Sequence, residues 1–433
     1  MQCDKNRDHA DGFYALILLL VLTVFPTHVY AAEGNEDSFL EQFAPLEING
    51  FLELRAGRRT REDPHEKDLS VLEARLQAEL FTCTDWAEFK YKGDVWADRV
   101  TEQGEYDTRE AWIFVRPSDF LDLKVGRQVL TWGTGDLVFL NDLFPKDWQS
   151  FFIGRDVEYL KGPSDAAKCS FFTGLANIDV VYTPQFDPDR YVTGEYVSYW
   201  NETLGRSAGR DAMVSADKPD RWWRDDEIAV RIYKNVDNYE YAFYGYRGFW
   251  KTPAGQAASG AATFPALNVY GASARGQVGP GIGNIELAYY RSADDPGGTD
   301  PAVRNSEMRY LVGYAQEIGR DFSASLQYYV EQILDYNRYK ESLISCHSKD
   351  RYRHVITLQL TKLLMNQNLE LSLSAYLSPS DKDAYLRPLV DYKYTDHLTL
   401  IAGSNIFIGD CRSTFFAQFE NNTNIYLAVR YSF

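Results

Sequence analysis

The chain has 433 residues, enough for two or three soluble domains or for one large barrel. Its formal net charge is −17, which excludes a nucleic-acid-binding role, since phosphates need a basic face. A mean hydropathy of −0.38 excludes a helical membrane bundle, while an aromatic content of 15%, with 30 Tyr, suits surfaces where an apolar phase meets water.

Residues 1–31 read as a secretory signal. Lys5 and Arg7 precede the apolar run FYALILLLVLTVF (13–25), which is too short to span a bilayer as a helix. Pro26 ends the run, and Val29 and Ala31 give the small-x-small pattern of a cleavage site, expected after Ala31. Asp4, Asp8 and Asp11 offset the two bases. Cys3 precedes the apolar run, the wrong side for a lipidated cysteine. Residues 32–47 form a short N-terminal segment on the periplasmic side, and 48–433 the body of the protein.

From there a period of two dominates. LSVLEARLQAELF (69–81) puts Leu72, Ala74, Leu76, Ala78 and Leu80 on one face, with Glu73, Arg75, Gln77 and Glu79 on the other. WAEFKYKGDVW (86–96) and NLELSLSAYL (368–377) alternate in the same way. The spacing predicts strands near 48–58, 69–82, 86–98, 106–116, 120–131, 158–173, 177–184, 226–236, 239–251, 265–277, 282–292, 306–318, 322–334, 352–364, 368–378, 384–394, 397–407 and 424–433. That is about 18, and 16 is the alternative, because 158–173 is poorly patterned. Residues 409–422 are assigned to a loop.

The connections alternate in length. RPSDF (116–120), GLAN (174–177), VDN (236–238), GRD (319–321) and TDH (395–397) are short; 133–156, 185–225, 292–305 and 335–351 are long. Alternating strands with short turns at one end and long loops at the other predict an all-β fold, a transmembrane antiparallel β-barrel of the outer membrane. In a bilayer a sheet must close, because every backbone group has to be paired. A secreted sandwich or propeller is the competing fold, but it would bury Val, Ile and Leu rather than place Tyr and Phe near strand ends. The closing segment NIYLAVRYSF (424–433) is expected to pair with the first strand, its apolar side toward lipid.

Inward parity then assigns the bore. Arg55, Arg75, Lys90, Lys92, Asp94, Lys124, Arg127 and Gln128 are the candidate pore-lining residues, with Glu53, Glu73, Glu79 and Glu110 beside them. The later strands read as mostly neutral, with Ser325, Gln327, Thr357, Gln359 and Asn405. Leu121, Leu123 and Val125 face lipid, so a β-bulge at Gly126 is needed to return Arg127 to the lumen. The loop 133–156, GTGDLVFLNDLFPKDWQSFFIGRD, is too apolar for an exposed tip. It is expected to fold inward as a constriction, with Phe139, Phe144 and Trp148 against the wall and Asp142, Lys146 and Asp147 facing the path.

No metal or cofactor is expected. Cys83, Cys169, Cys346 and Cys411 are widely spaced, without a CxxC pattern. The parity count puts Cys346 and Cys411 at the same end of the barrel, as the pair to consider for a disulfide. His65, His347, His354 and His397 do not sit beside a patterned Ser or Asp, so an enzyme is not expected.

VGRQVLTWGTGD (125–136), a strand ending in Gly-Arg-Gln followed by a Trp-Gly turn, resembles Gram-negative outer-membrane porins of the alginate-export type and related porin-like families. YTPQFDPDR (182–190) and the ending RYSF strengthen the resemblance. It implies an eighteen-stranded, solute-conducting barrel whose loops control access, set in outer-membrane lipid and lipopolysaccharide. It also implies that Tyr431 and Phe433 form a C-terminal signal for the outer-membrane assembly machinery. It does not imply alginate, since a polyanion exporter needs a predominantly basic bore and this wall is mixed. The expected function is a porin for small polar or amphiphilic solutes. The alternatives are a structural or adhesion barrel, or the barrel partner of an export or electron-transfer complex.

Overall fold

The computed structural model describes residues 46–343 and 349–433. The signal segment, nearly all of 32–47 and Cys346 lie outside the described residues.

One antiparallel sheet contains eighteen strands. They are β1 (Glu47–Arg59), β2 (Leu69–Cys83), β3 (Ala87–Asp98), β4 (Gln103–Ser118), β5 (Leu121–Val129) and β6 (Pro163–Phe172). Next come β7 (Asn177–Thr183), β8 (Glu227–Val236), β9 (Tyr239–Phe249), β10 (Ala266–Val278), β11 (Gly281–Ser292) and β12 (Glu307–Gly319). The last six are β13 (Phe322–Ile333), β14 (Tyr352–Leu364), β15 (Leu369–Ser378), β16 (Asp383–Lys393), β17 (Leu398–Gly409) and β18 (Asn424–Ser432). Each strand pairs with the next, and β1 pairs with β18, Phe51 opposite Ser432 and Arg59 opposite Asn424. The sheet is therefore a closed barrel without a free edge. The count is eighteen, not sixteen. Residues that blurred the pattern before β6 belong to the 3-10 turn Val157–Leu160, and the strand begins only at Pro163.

Turn chemistry explains the short end. Asp237 and Asn238, both at positive φ (48° and 67°), close the β8–β9 hairpin; these are the residue types that tolerate such a turn. At the other end run the long connections. No helix among the described residues is long and apolar enough to cross a membrane.

The outer face carries exposed Leu54, Ile113, Phe243, Ile285, Leu326 and Leu427. A contiguous apolar band of this kind fits a barrel set in lipid. The compact apolar core lies inside, between inward aromatics of the wall and the loop that joins β5 to β6.

The bulge expected at Gly126 is absent. The β4–β5 ladder runs unbroken from Ala111 opposite Arg127 to Val115 opposite Leu123. The break lies one strand pair away. Lys92 faces Glu110 and Gly93 faces Thr108, so Arg109 is the extra residue on β4. Gly126 instead bends the chain with φ of +125°, and a Cβ there would stand 2.3 Å from the Ala111 carbonyl oxygen. Only glycine fits, and the bend needs no inserted residue.

Candidate pore and its inward loop

The β5–β6 connection leaves the wall at Leu130 and crosses the bore. Its first half is stitched to the far side. The Glu286 carboxylate of β11 accepts from the Thr134 and Gly135 backbone N–H groups and from the Thr134 hydroxyl at 2.7 Å; its second oxygen accepts from Asn141 at 2.8 Å. Gln327 of β13 accepts from the Asp136 N–H at 3.2 Å, and Tyr376 of β15 donates to the Leu137 carbonyl at 3.2 Å. Loop backbone that would otherwise be buried without partners is thus satisfied by wall side chains.

The middle of the loop is a short helix, α1 (Trp148–Ile153). Asp147 caps it, accepting from the Ser150 N–H at 2.8 Å, and Gly154 ends it at φ 90°. Phe152 packs against Tyr385 of β16 at 5.6 Å and Phe407 of β17 at 5.5 Å between ring centroids. Phe151 also meets Tyr385.

The return limb binds the N-terminal strands. Arg155 donates to Glu73 of β2 at 3.0 Å, and Arg55 of β1 donates to the Gly154 carbonyl. Arg109 of β4 donates to the carbonyls of Glu158 at 3.1 Å and Lys161 at 3.0 Å. Gln77 donates to the Tyr159 hydroxyl at 2.9 Å. One connection therefore touches β1, β2, β4, β11, β13, β15, β16 and β17.

The candidate lining residues divide into two groups. Arg55, Arg75, Asp94 and Gln128 are buried. Arg55 pairs with Glu53 at 2.9 Å, Arg75 pairs with Glu73 and Asp94 at 2.7 Å each, and Gln128 donates to the Ala166 carbonyl. Lys90, Lys92 and Lys124 lie toward the short-turn end and keep access to water. Lys90 bridges Glu79 and Glu110 at 3.0 and 3.2 Å, Lys92 reaches Glu158 at 3.3 Å, and Lys124 sits over the Trp112 ring at 3.9 Å. Lys168, Arg231 and Arg430 occupy the same half of the wall, with Asp179, Glu240 and Glu53 as their partners. Arg127 is not a lining residue: with the ladder unbroken at Gly126 it keeps the outward parity of Leu123 and Val125, opposite exposed Asp165 of β6, with which it pairs at 2.9 Å while reaching Asp107 at 3.8 Å.

Within the loop, Phe144 is buried against Trp132 at 5.0 Å; Phe139 and Trp148 are half-buried and 6.3 Å apart. Asp142, Lys146 and Asp147 are buried, not turned to water. Lys146 pairs with Asp142 at 3.0 Å, and Asp147 is spent on the α1 cap. The physical reason is desolvation: once the aromatics bury the loop, charges between them must pair inside it. At the seam, Tyr431 and Phe433 are exposed, and Phe433 exchanges backbone hydrogen bonds with Gly50 at 3.1 and 3.0 Å.

The later wall is not neutral. Glu286, Glu307, Arg309, Glu331, Arg353 and Arg387 face inward with their partners, Glu307 to Arg309 at 2.7 Å and Arg353 to Asp381 at 2.7 Å among them. Each stands at an inward position of its alternating strand, a signal present in the sequence. Cys411 is exposed in the β17–β18 loop; Cys83 and Cys169 are free thiols.

Outside the strands, the loop 60–68 holds Glu66. Its carboxylate is enclosed beside Arg210, whose Nε lies 3.5 Å away. Burial pushes the Glu66 carboxyl up to about 7, with Arg59 and Arg210 pulling it partly back.

No protein-family model and no curated relative match the sequence. Solved structures do match in shape. Acinetobacter baumannii OccAB3 aligns at a TM-score of 0.54 and 10% identity, over 90% of this chain and 99% of that one. Pseudomonas aeruginosa OccD3 (OpdP) aligns at 0.52 and 8% identity, over 90% and 91%. Pseudomonas aeruginosa OccK5 (OpdH) aligns at 0.51 and 10%, over 89% and 97%. The shared property is the fold, a closed antiparallel β-barrel.

Proposed function

We propose that the protein is a porin-type channel of a Gram-negative outer membrane, passing small polar or amphiphilic solutes, with 133–156 as its constriction. The observation that carries this reading is the β5–β6 loop, which spans a closed eighteen-stranded barrel from inside and is bonded to opposite walls. A barrel of this size has a lumen wide enough to hold such a loop and a water path beside it. On the short-turn side of the loop, Lys90, Lys92, Lys124, Lys168 and Arg231 stand among Glu79, Glu110, Asp179 and Glu240. Facing charges of both signs order water and disfavour apolar solutes. The same mixture argues against a polyanion exporter, so the resemblance to alginate-export porins is taken as far as architecture. Arg55, Arg75, Asp94 and Gln128 support the loop from beneath, while the lysines line the path. Tyr431 and Phe433, at the seam, are the segment offered to the assembly machinery.

Single-channel recording in a planar bilayer tests the reading. Deleting 137–151 is expected to raise conductance and weaken ion selectivity. A correctly assembled barrel without conductance, before and after the deletion, would favour a structural barrel instead.

A further inference from the structure

One ladder row near the long-loop end runs through Tyr182 (β7), Ile228 (β8), Arg247 (β9), Asn268 (β10) and Arg291 (β11). All five project from the outer surface, because their sequence neighbours Val181, Ala229, Tyr246, Leu267 and Tyr290 are buried toward the bore. Arg247 and Arg291 are exposed. Among the described residues neither guanidinium has an ion-pair or hydrogen-bond partner. In a chain of net charge −17, whose inner-wall guanidiniums are largely paired, this is an unusual place for two free cations.

Aromatics flank the row. Trp223 stacks on Tyr182, ring centroids 6.1 Å apart and planes 17° apart, and Trp222 lies 6.0 Å from Trp223. Both tryptophans are exposed. The nearby carboxylates are already engaged: Asp225 with Arg221 at 3.2 Å, and Asp294 with the Ala266 N–H at 2.7 Å. Asp226 bonds Tyr182.

Toward the barrel's middle the next outward rows are apolar. Val180, Val230, Gly245, Tyr270 and Tyr289 form one; Ile178, Ile232, Phe243, Ala272 and Leu287 form the next. The surface is therefore basic and aromatic above, and oily below. Arginine on a lipid face is costly at mid-depth and cheap at the interface, so the row marks the head-group level. Arg247 and Arg291 stand on alternate strands, about 10 Å apart at the backbone, a span that one head group with two phosphates can bridge.

We propose that this row is a docking site for a phosphorylated glycolipid of the outer leaflet. Arg247 and Arg291 hold its phosphates, Trp222, Trp223 and Tyr182 lie along its sugars, and its acyl chains cover the apolar rows. The proposal rests on the reading that the barrel sits in an outer membrane.

The test is native mass spectrometry of the purified barrel, titrated with bis-phosphoryl lipid A, its phosphate-free form and inorganic phosphate. Wild type should retain the bis-phosphoryl lipid. The double variant Arg247→Gln, Arg291→Gln should bind it about thirty-fold more weakly, from two interfacial cations lost. Arg58→Gln, an outward arginine elsewhere, should bind as wild type does. Equal binding by wild type and the double variant overturns the proposal, as does equal binding of the phosphate-free lipid. Inorganic phosphate binding as tightly as the lipid would mean a soluble-anion site and also overturns it. Single substitution of Arg291 serves if the double variant loses its heat-sensitive gel mobility. Conductance of the same samples is read separately, so a failed channel reading leaves the lipid result distinguishable.

Discussion

Asn141, in the middle of the inward loop, donates at 2.8 Å to Glu286, which stands on the wall 145 positions further along the chain. Glu286 is buried and gathers four donors from the loop, so it acts as the loop's principal anchor on the far wall. Glu286→Ala removes the acceptor while the donors stay buried. Each orphaned group then costs about 1–3 kcal/mol, which weakens the hold of the loop's first half on the far wall. The expected outcome is a loosened loop, visible as larger and noisier single-channel conductance with the barrel still assembled. Wild-type conductance in Glu286→Ala would show that the anchor does not hold the constriction.

The strands were legible for a physical reason. A closed sheet between lipid and water forces alternation on every strand, and all eighteen appear in the sequence within a few residues of where they form. The inward loop was legible from its apolar content alone, since Phe144, Phe151 and Phe152 could not sit in water. Its partners were not. Glu286 and Thr134 are 152 positions apart, and periodicity gives parity but no distance. The burial of Asp142, Lys146 and Asp147 is not legible, because the sequence displays charge and hides desolvation. The place of Arg127 is not legible because a bulge that would turn it inward and a glycine bend that leaves it outward look alike in sequence, and only the register tells them apart.

The return limb supplies a second expectation. Glu73 is buried between Arg75 at 2.7 Å and Arg155 at 2.5 Å. Glu73→Gln leaves Arg155 without its carboxylate, and breaking such a buried pair typically costs about 3–5 kcal/mol. Replacing both members, Glu73→Leu with Arg155→Met, should cost less than the single change. The temperature at which the folded band is lost on an SDS gel measures both. A double variant weaker than Glu73→Gln would show that the pair contributes net stability beyond its own desolvation.

At the seam, Phe433 extends the β1–β18 pairing by two backbone hydrogen bonds with Gly50. Deleting it removes those bonds and the exposed ring together. Surface levels of the folded barrel are expected to fall several-fold, while any barrel that forms keeps its conductance. Quantifying the folded band in isolated outer membranes checks this, and undiminished levels would remove Phe433 from the assembly signal.

The last expectation concerns pH and the long-loop end. Glu66 lies in the loop 60–68, its carboxyl enclosed against Gly209 and Arg210 of the loop 184–226; neither oxygen has a hydrogen-bond partner within the protein. Enclosure raises its pKa from 4.5 to about 7, against the opposing pull of Arg59 and Arg210. A raised carboxyl favours the protonated, folded state. Its stabilising share is therefore complete below about pH 4.5 and is lost as pH rises through 7. The two loops should dock more firmly at pH 5 than at pH 8. Hydrogen exchange in residues 205–212 is expected to quicken several-fold across that interval. Glu66→Gln, which keeps the shape and never ionises, should flatten the dependence and hold slow exchange at pH 8. Exchange that slows with rising pH, after correction for its intrinsic rate, or a dependence unchanged in Glu66→Gln, would show that Glu66 does not control the docking.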